Sequence, residues 1–157
     1  MKRFELFSIQ SVIEEMLKTS KIVKLNFVLI ANKKNLESEI ESIKKSMNVS
    51  EEYTAYDETR VNLCKVHCEK DETGEPKMKN NSFVGLDNNP DFVVAVKNLQ
   101  GKNKKAIDEY NTKLIEYNDF LNEDIEFEFK KIDPDIIPND MITGEMQSIL
   151  IPLFDME

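Results

Sequence analysis

Apolar positions along the chain recur mostly at spacings of three and four, the period of a helix with one buried face. Ile9, Val12, Ile13, Met16 and Leu17 follow Ser8 in this way and predict a helix to about Lys18, with Ser8 as its cap. Before it, Phe4 and Leu6 alternate with Arg3 and Glu5, the two-residue period of a short strand. Ser20 is placed to cap a second, longer helix to about Met47. Ile22 to Ala31 is apolar nearly all round, which predicts burial on several sides. Leu36, Ile40, Ile43 and Met47 then narrow to the stripe of a coiled-coil-like seam.

Ser50, followed by Glu51 and Glu52, opens a third helix with acid at its positive end. Tyr53, Tyr56, Arg60, Leu63 and His67 lie on one side of it. Asp71-Glu72-Thr73-Gly74-Glu75-Pro76 is turn chemistry. Lys77–Lys79 and Ser82–Leu86 flank Asn80-Asn81, the pattern of a small hairpin, because Asn tolerates the positive φ of a tight turn. Asn89-Pro90-Asp91 starts a fourth helix. Val96, Leu99, Asn103, Ile107, Tyr110, Leu114, Tyr117 and Leu121 carry its face to Leu121, antiparallel to the second helix. Gly101 weakens its middle by about 1 kcal/mol relative to Ala. From Glu123 to Ile132, Ile125, Phe127 and Phe129 alternate with Glu126, Glu128 and Lys130. This is the strongest strand pattern in the chain. Pro134 and Pro138 predict an extended stretch, and Thr143 starts a last helix that Pro152 ends or kinks. The expected fold class is α+β and mainly α. The pattern describes an antiparallel helical bundle or coiled-coil hairpin with a small antiparallel sheet, in one domain over 1–157. Residues 133–157 form its extended segment and short C-terminal helix.

Charge changes this picture more than composition does. The 157 residues carry a formal net charge of −9. Residues 106–157 hold 14 acidic side chains against 3 lysines, whereas residues 1–105 hold 16 acidic and 18 basic ones. That imbalance disfavours direct binding of nucleic acid and favours a basic partner at the C-terminal third. Lys97, Lys102, Lys104 and Lys105 make a local basic patch, but no aromatic side chains are interleaved with them for base stacking. No stretch reaches the roughly 18 apolar residues of a membrane span, and Met1-Lys2-Arg3-Phe4 lacks the apolar run and cleavage site of a signal peptide. Two cysteines four residues apart on a helix make a poor disulfide, which suits a reducing cytoplasm.

Candidate chemistry is sparse. Cys64, His67 and Cys68 fall on one helical face and could meet a metal ion, but a structural zinc site needs a fourth ligand that no second Cys or His pair supplies. The competing reading is two half-buried thiols beside the chain's single His. Glu123, Asp124, Glu126 and Glu128 are dense, yet the alternation also describes the wet face of a half-exposed strand. Tyr53, Tyr56, Tyr110 and Tyr117 are expected on packing faces with their hydroxyls at the rim. The apolar Ile149–Phe154 segment either docks on the bundle or anchors a partner or a second copy. No phosphate-cradling loop, nucleophile–base pair or metalloprotease motif occurs, so neither an enzymatic activity nor a cofactor is expected.

Several pieces in order carry a resemblance: Leu25-Asn26-Phe27 through Ala31-Asn32-Lys33-Lys34-Asn35-Leu36, Tyr56-Asp57-Glu58-Thr59-Arg60, Leu63-Cys64-Lys65, Glu69 to Pro76, and Glu116-Tyr117-Asn118-Asp119-Phe120-Leu121 with the stretch Ile125–Ile132. Together they resemble an uncharacterised family encoded by phages and prophages of Gram-positive bacteria, often beside tail and lysis genes. The resemblance implies a small phage accessory protein and brings no activity and no catalytic residues. Two expectations follow. One is a non-catalytic protein that binds and blocks a host defence factor, in the manner of an anti-CRISPR, in the cytoplasm of the bacterial host. Glu123, Asp124, Glu126, Glu128, Asp133 and Asp135 would face the partner. The other is a tail or virion assembly protein that joins phage structural proteins or its own copies.

Overall fold

A computed structural model describes residues 1–138 and 140–155. Asn139, Met156 and Glu157, which fall in the 133–157 segment, lie outside the described residues. The chain is mainly helical with a small antiparallel two-stranded sheet. In order, the elements are α1 (Glu5–Thr19), α2 (Val23–Ser46), α3 (Glu51–His67), β1 (Met78–Lys79), β2 (Ser82–Phe83), α4 (Pro90–Lys102), α5 (Lys104–Leu121) and α6 (Gly144–Leu150). They divide into two compact units, Met1–Met47 with Glu116–Glu157 and Asn48–Ile115.

The first unit is built on an apolar core. α1 contributes Leu6, Ile9, Val12, Ile13 and Met16, and α2 contributes Leu25, Leu29, Leu36, Ile40 and Ile43. Ile132, Ile137, Met146, Leu150 and Leu153 close it from the C-terminal segment. α1 packs against both α2 and α6. Thr143 caps α6 by accepting a hydrogen bond from the Met146 N–H. Ile151–Leu153 then tightens into a 3-10 turn at Pro152, so the apolar C-terminal segment docks, with Leu150 and Leu153 fully buried.

Several expectations change in this unit. Ser20 does not cap α2, which begins at Val23 with Ile22 in the cap position. Phe4–Leu6 is not a strand: α1 begins at Glu5, and Ser8 lies inside it rather than at its cap. Leu6 stands three residues before Ile9 and extends the buried helical stripe, which outweighs a four-residue alternation. The Glu5 carboxylate accepts the Lys2 N–H at 2.7 Å and secures the helix entry. The first half of α2 is not buried on several sides. Val23, Phe27 and Ile30 are 69%, 73% and 45% exposed, on the side away from Leu25 and Leu29. Glu123–Ile132 forms no regular strand, although its sidedness holds: Ile125, Phe127 and Phe129 turn to the core and Glu126 and Glu128 to water. Finally, Pro134–Ile136 winds into a 3-10 turn where an extended run was expected.

The second unit relies on local chemistry. Ser50 caps α3 through the Tyr53 N–H. The Asp71 carboxylate gathers the Thr73 hydroxyl and the N–H groups of Thr73 and Glu75, bonds that hold it below the usual carboxylate range. Gly74 supplies the positive φ of that turn. The hairpin pairs Met78 with Phe83 and Lys79 with Ser82 across Asn80-Asn81, both at positive φ. This is the backbone of a two-residue type I′ turn. Asn89 caps α4 by accepting the Phe92 N–H, and its amide donates to the His67 carbonyl. α4 packs on α3. The single helix expected over 90–121 is two helices that meet at Asn103. The Asn103 side-chain amide donates to the Leu99 carbonyl, and its N–H bifurcates between Leu99 and Gln100. A side chain competing for helical carbonyls, two residues after Gly101, breaks the ladder.

Candidate interaction surface

The six carboxylates that sequence singles out lie on the segment that follows α5, but they are not equivalent. Lys2 reaches Asp124 at 2.8 Å and Arg3 reaches Glu123 at 2.7 Å. The Arg3 guanidinium lies 3.7 Å from the centre of the Phe120 ring and also donates to the Phe120 carbonyl at 2.6 Å. Its side chain is only 14% exposed, so this charge is held in place. The hydrogen bond from Lys2, and then the lysine charge, hold the Asp124 carboxyl below its ordinary range. Glu123 and Asp124 therefore fasten the start of the segment to the N-terminus. Asp133 has a structural duty too, since its side chain accepts the Asp135 N–H and caps the 3-10 turn.

Glu126, Glu128 and Asp135 differ: all three are exposed, and none has an ion-pair partner among the described residues. Asp133, Asp135 and Asp155 line one shallow depression beside Pro134. Next to it, a groove lined by Ile137, Pro138, Ile142, Ile151 and Phe154 contains, among the described residues, one titratable side chain, Asp135. The Ser148 hydroxyl in that groove donates to the Gly144 carbonyl.

Compared with family models, curated proteins and solved structures, the chain matches none.

The part of the site that sequence reasoning missed is Asn32. This side chain is fully buried. Its amide donates to the Lys130 carbonyl at 2.8 Å and its carbonyl oxygen accepts the Lys130 N–H at 2.8 Å. A neighbouring strand would offer the same donor–acceptor pair. The signal was present in the sequence: Leu25, Leu29, Asn32, Leu36, Ile40 and Ile43 share one stripe, and one member is polar. A buried amide in an apolar stripe needs partners, and the extended segment supplies them. Lys2 and Arg3 were likewise missed as partners of Asp124 and Glu123.

The Cys64–His67–Cys68 spacing is not realised as a metal site. Among the described residues no three His, Cys, Asp or Glu side chains come together to hold an ion. Cys64 and Cys68 are buried, and the Cys68 thiol lies 3.5 Å from the Lys65 carbonyl. His67 tilts against Phe92 with ring centres 6.0 Å apart. Of the tyrosines, Tyr53 stacks on Tyr110 at 3.8 Å and 9°, and burial raises its hydroxyl pKa. Tyr56 is buried and Tyr117 packs on the core of the first unit. Lys97, Lys102, Lys104 and Lys105 are all exposed. No helix among the described residues is long and apolar enough to cross a membrane.

Proposed function

We propose that this protein is a non-catalytic phage accessory protein that binds a basic surface of another protein, with a host defence factor as the first class of target. The observation that supports this reading is the anchored display of Glu126 and Glu128. Ile125, Phe127 and Phe129 pack on the core, and the two carboxylates alternating with them stand in water without ion-pair partners among the described residues. Asp133 and Asp135 add a second acidic pair beyond Lys130 and Lys131. A fixed row of carboxylates attracts a basic groove before contact and costs little ordering on binding. Glu123 and Asp124 hold the row in place more than they meet the partner.

The test is affinity capture from a Gram-positive host lysate at about 0.05 and 0.3 M salt, with the native chain and with Glu126→Lys/Glu128→Lys/Asp135→Lys. Capture that weakens with salt and fails with the charge-reversed chain is expected. A partner held equally by both chains rules the acidic row out as the contact.

A second reading, a tail or virion assembly role, is favoured by Val23, Phe27 and Ile30. They leave an apolar stripe uncovered on α2, and such stripes suit stable association. In the same reading the Leu36–Ile40–Ile43 stripe belongs to a coiled-coil-like seam. Mass spectrometry of purified particles distinguishes the two: the chain's absence from virions excludes a structural role.

A further inference from the structure

The segment with the strongest strand pattern has no strand beside it along half of its length, and the geometry points to a second copy of this chain as the missing neighbour, added as an antiparallel strand centred on Phe129. In an extended chain the N–H and C=O of one residue point to one edge and those of the next residue to the other. Residues 125–131 run without a turn or bend. On one edge, the Glu123 carbonyl accepts the Arg3 N–H at 3.1 Å and the Ile125 N–H donates to the Met1 carbonyl at 2.8 Å. Lys130 and Ile132 use the opposite edge, towards Asn32 and towards Leu153 and Asp155. Phe127, Phe129 and Lys131 therefore return to the first edge. Among the described residues their six backbone polar groups have no hydrogen-bond partner. The backbone groups of Glu126 and Glu128 are likewise unpartnered among the described residues, but Asn32 and the C-terminal segment close that opposite edge at Lys130 and Ile132, which leaves the first edge as the open one.

Length and charge select the occupant. The open window is bounded by the Met1–Arg3 segment, which meets residues 123–125, and by the 3-10 turn at Pro134. A second copy fits the window when the two-fold axis passes through Phe129. Phe127 then faces Lys131 of the second copy, Phe129 faces Phe129, and Lys131 faces Phe127. Each of these pairs can exchange two backbone hydrogen bonds. Between them, Glu128 stands opposite Lys130 of the second copy, twice, on the exposed face. The core-facing side chains of both copies stay on one side, so the second copy extends the layer without inverting it. Shifting the axis by one residue to Glu128 would oppose Glu128 to itself, a destabilising like-charge pair. It would also demand the Ile125 groups already spent on Met1. The exposed pattern Glu-Phe-Glu-Phe-Lys-Lys is thus complementary to its own reverse in one register only.

Sedimentation velocity of the full chain across a wide range of loading concentrations, at about 0.15 M salt, tests this pairing. The sedimentation coefficient should rise towards that of a dimer. Lys130→Glu places Glu128 opposite a second carboxylate and should weaken association about tenfold or more. The double exchange Glu128→Lys/Lys130→Glu conserves net charge, restores opposite signs and should restore the dimer. Lys131→Pro removes a backbone donor that has no partner among the described residues and should also weaken association, with an unchanged circular dichroism spectrum as the control for folding. Amide exchange should slow with concentration at Phe127, Phe129 and Lys131 and stay unchanged at Glu126 and Glu128. A chain that stays monomeric at every concentration overturns the proposal. So does a dimer unaffected by Lys130→Glu and Lys131→Pro but abolished by Phe27→Glu, because association would then run through the α2 stripe. Capture of a basic partner is repeated with Glu126→Lys/Asp135→Lys, which leaves the Glu128–Lys130 pairs untouched, so loss of one result leaves the other standing.

Discussion

The two units of this chain reach order by different means. Among the described residues, the first buries fifteen apolar side chains in one cluster drawn from both ends of the sequence. The second has three buried apolar residues among those described, Tyr56, Cys64 and Cys68, and no buried residue on α4 or α5. It spends its organisation on caps, on a carboxylate-centred turn, on an Asn-Asn hairpin and on one tyrosine stack. Meanwhile Val66, Val93, Val94 and Ile115 stay more than half exposed there. Burial supplies most of the favourable free energy of folding, whereas each local device contributes about a kilocalorie per mole. The second unit should therefore open at lower cost than the first.

The largest effect that sharpens this contrast is a core deletion. Leu29→Ala in the first unit should cost about 2–5 kcal/mol, and Cys64→Ala in the second about 1 kcal/mol. Urea unfolding of the two variants compares them directly, and equal losses would break the distinction. Next comes Asn32→Ala. It strands the Lys130 N–H and C=O and should destabilise by about 1–3 kcal/mol, with faster amide exchange at Lys130. Asn89→Ala removes a cap and the bond to the His67 carbonyl. It should cost about 1 kcal/mol, and amide exchange should accelerate at the start of α4 while the α1 amides keep their rates. The smallest effect is electrostatic. The folded-state pKa of Asp124 is depressed by Lys2, so its contribution is complete above the unfolded pKa and is lost as pH falls through the lower folded value. Asp124→Asn should flatten that step of the acid titration of stability, and high salt should do the same to the native chain because the pair is exposed.

What was legible in the sequence is what one side chain decides for its own neighbourhood. Ser50, Asn89 and Thr143 are caps in the structure because an oxygen three residues before an orphan N–H needs nothing from elsewhere. Asn80-Asn81 and Gly74 likewise mark their turns through φ alone. Some misreadings are local, such as Ser8 inside α1 and the break at Asn103; the others involve distant partners. The alternation from Ile125 to Phe129 fixed which side faces the core but could not say whether a strand lay alongside, because pairing is decided elsewhere in the chain. Ile22–Ala31 looked buried because apolarity tells of preference and not of the number of neighbours. Of the candidate interaction residues, the exposed Glu126 and Glu128 were readable from alternation. The engagement of Glu123 and Asp124 was not, since Lys2 and Arg3 lie more than a hundred positions away in the chain.

Both sulfhydryls of the chain reside in the thinly packed half and none in the other. A colorimetric disulfide reagent would accordingly act as a clock for one half alone. Its reaction rate counts excursions that expose Cys64 and Cys68 and stays silent about the remainder of the molecule, with no engineered label required.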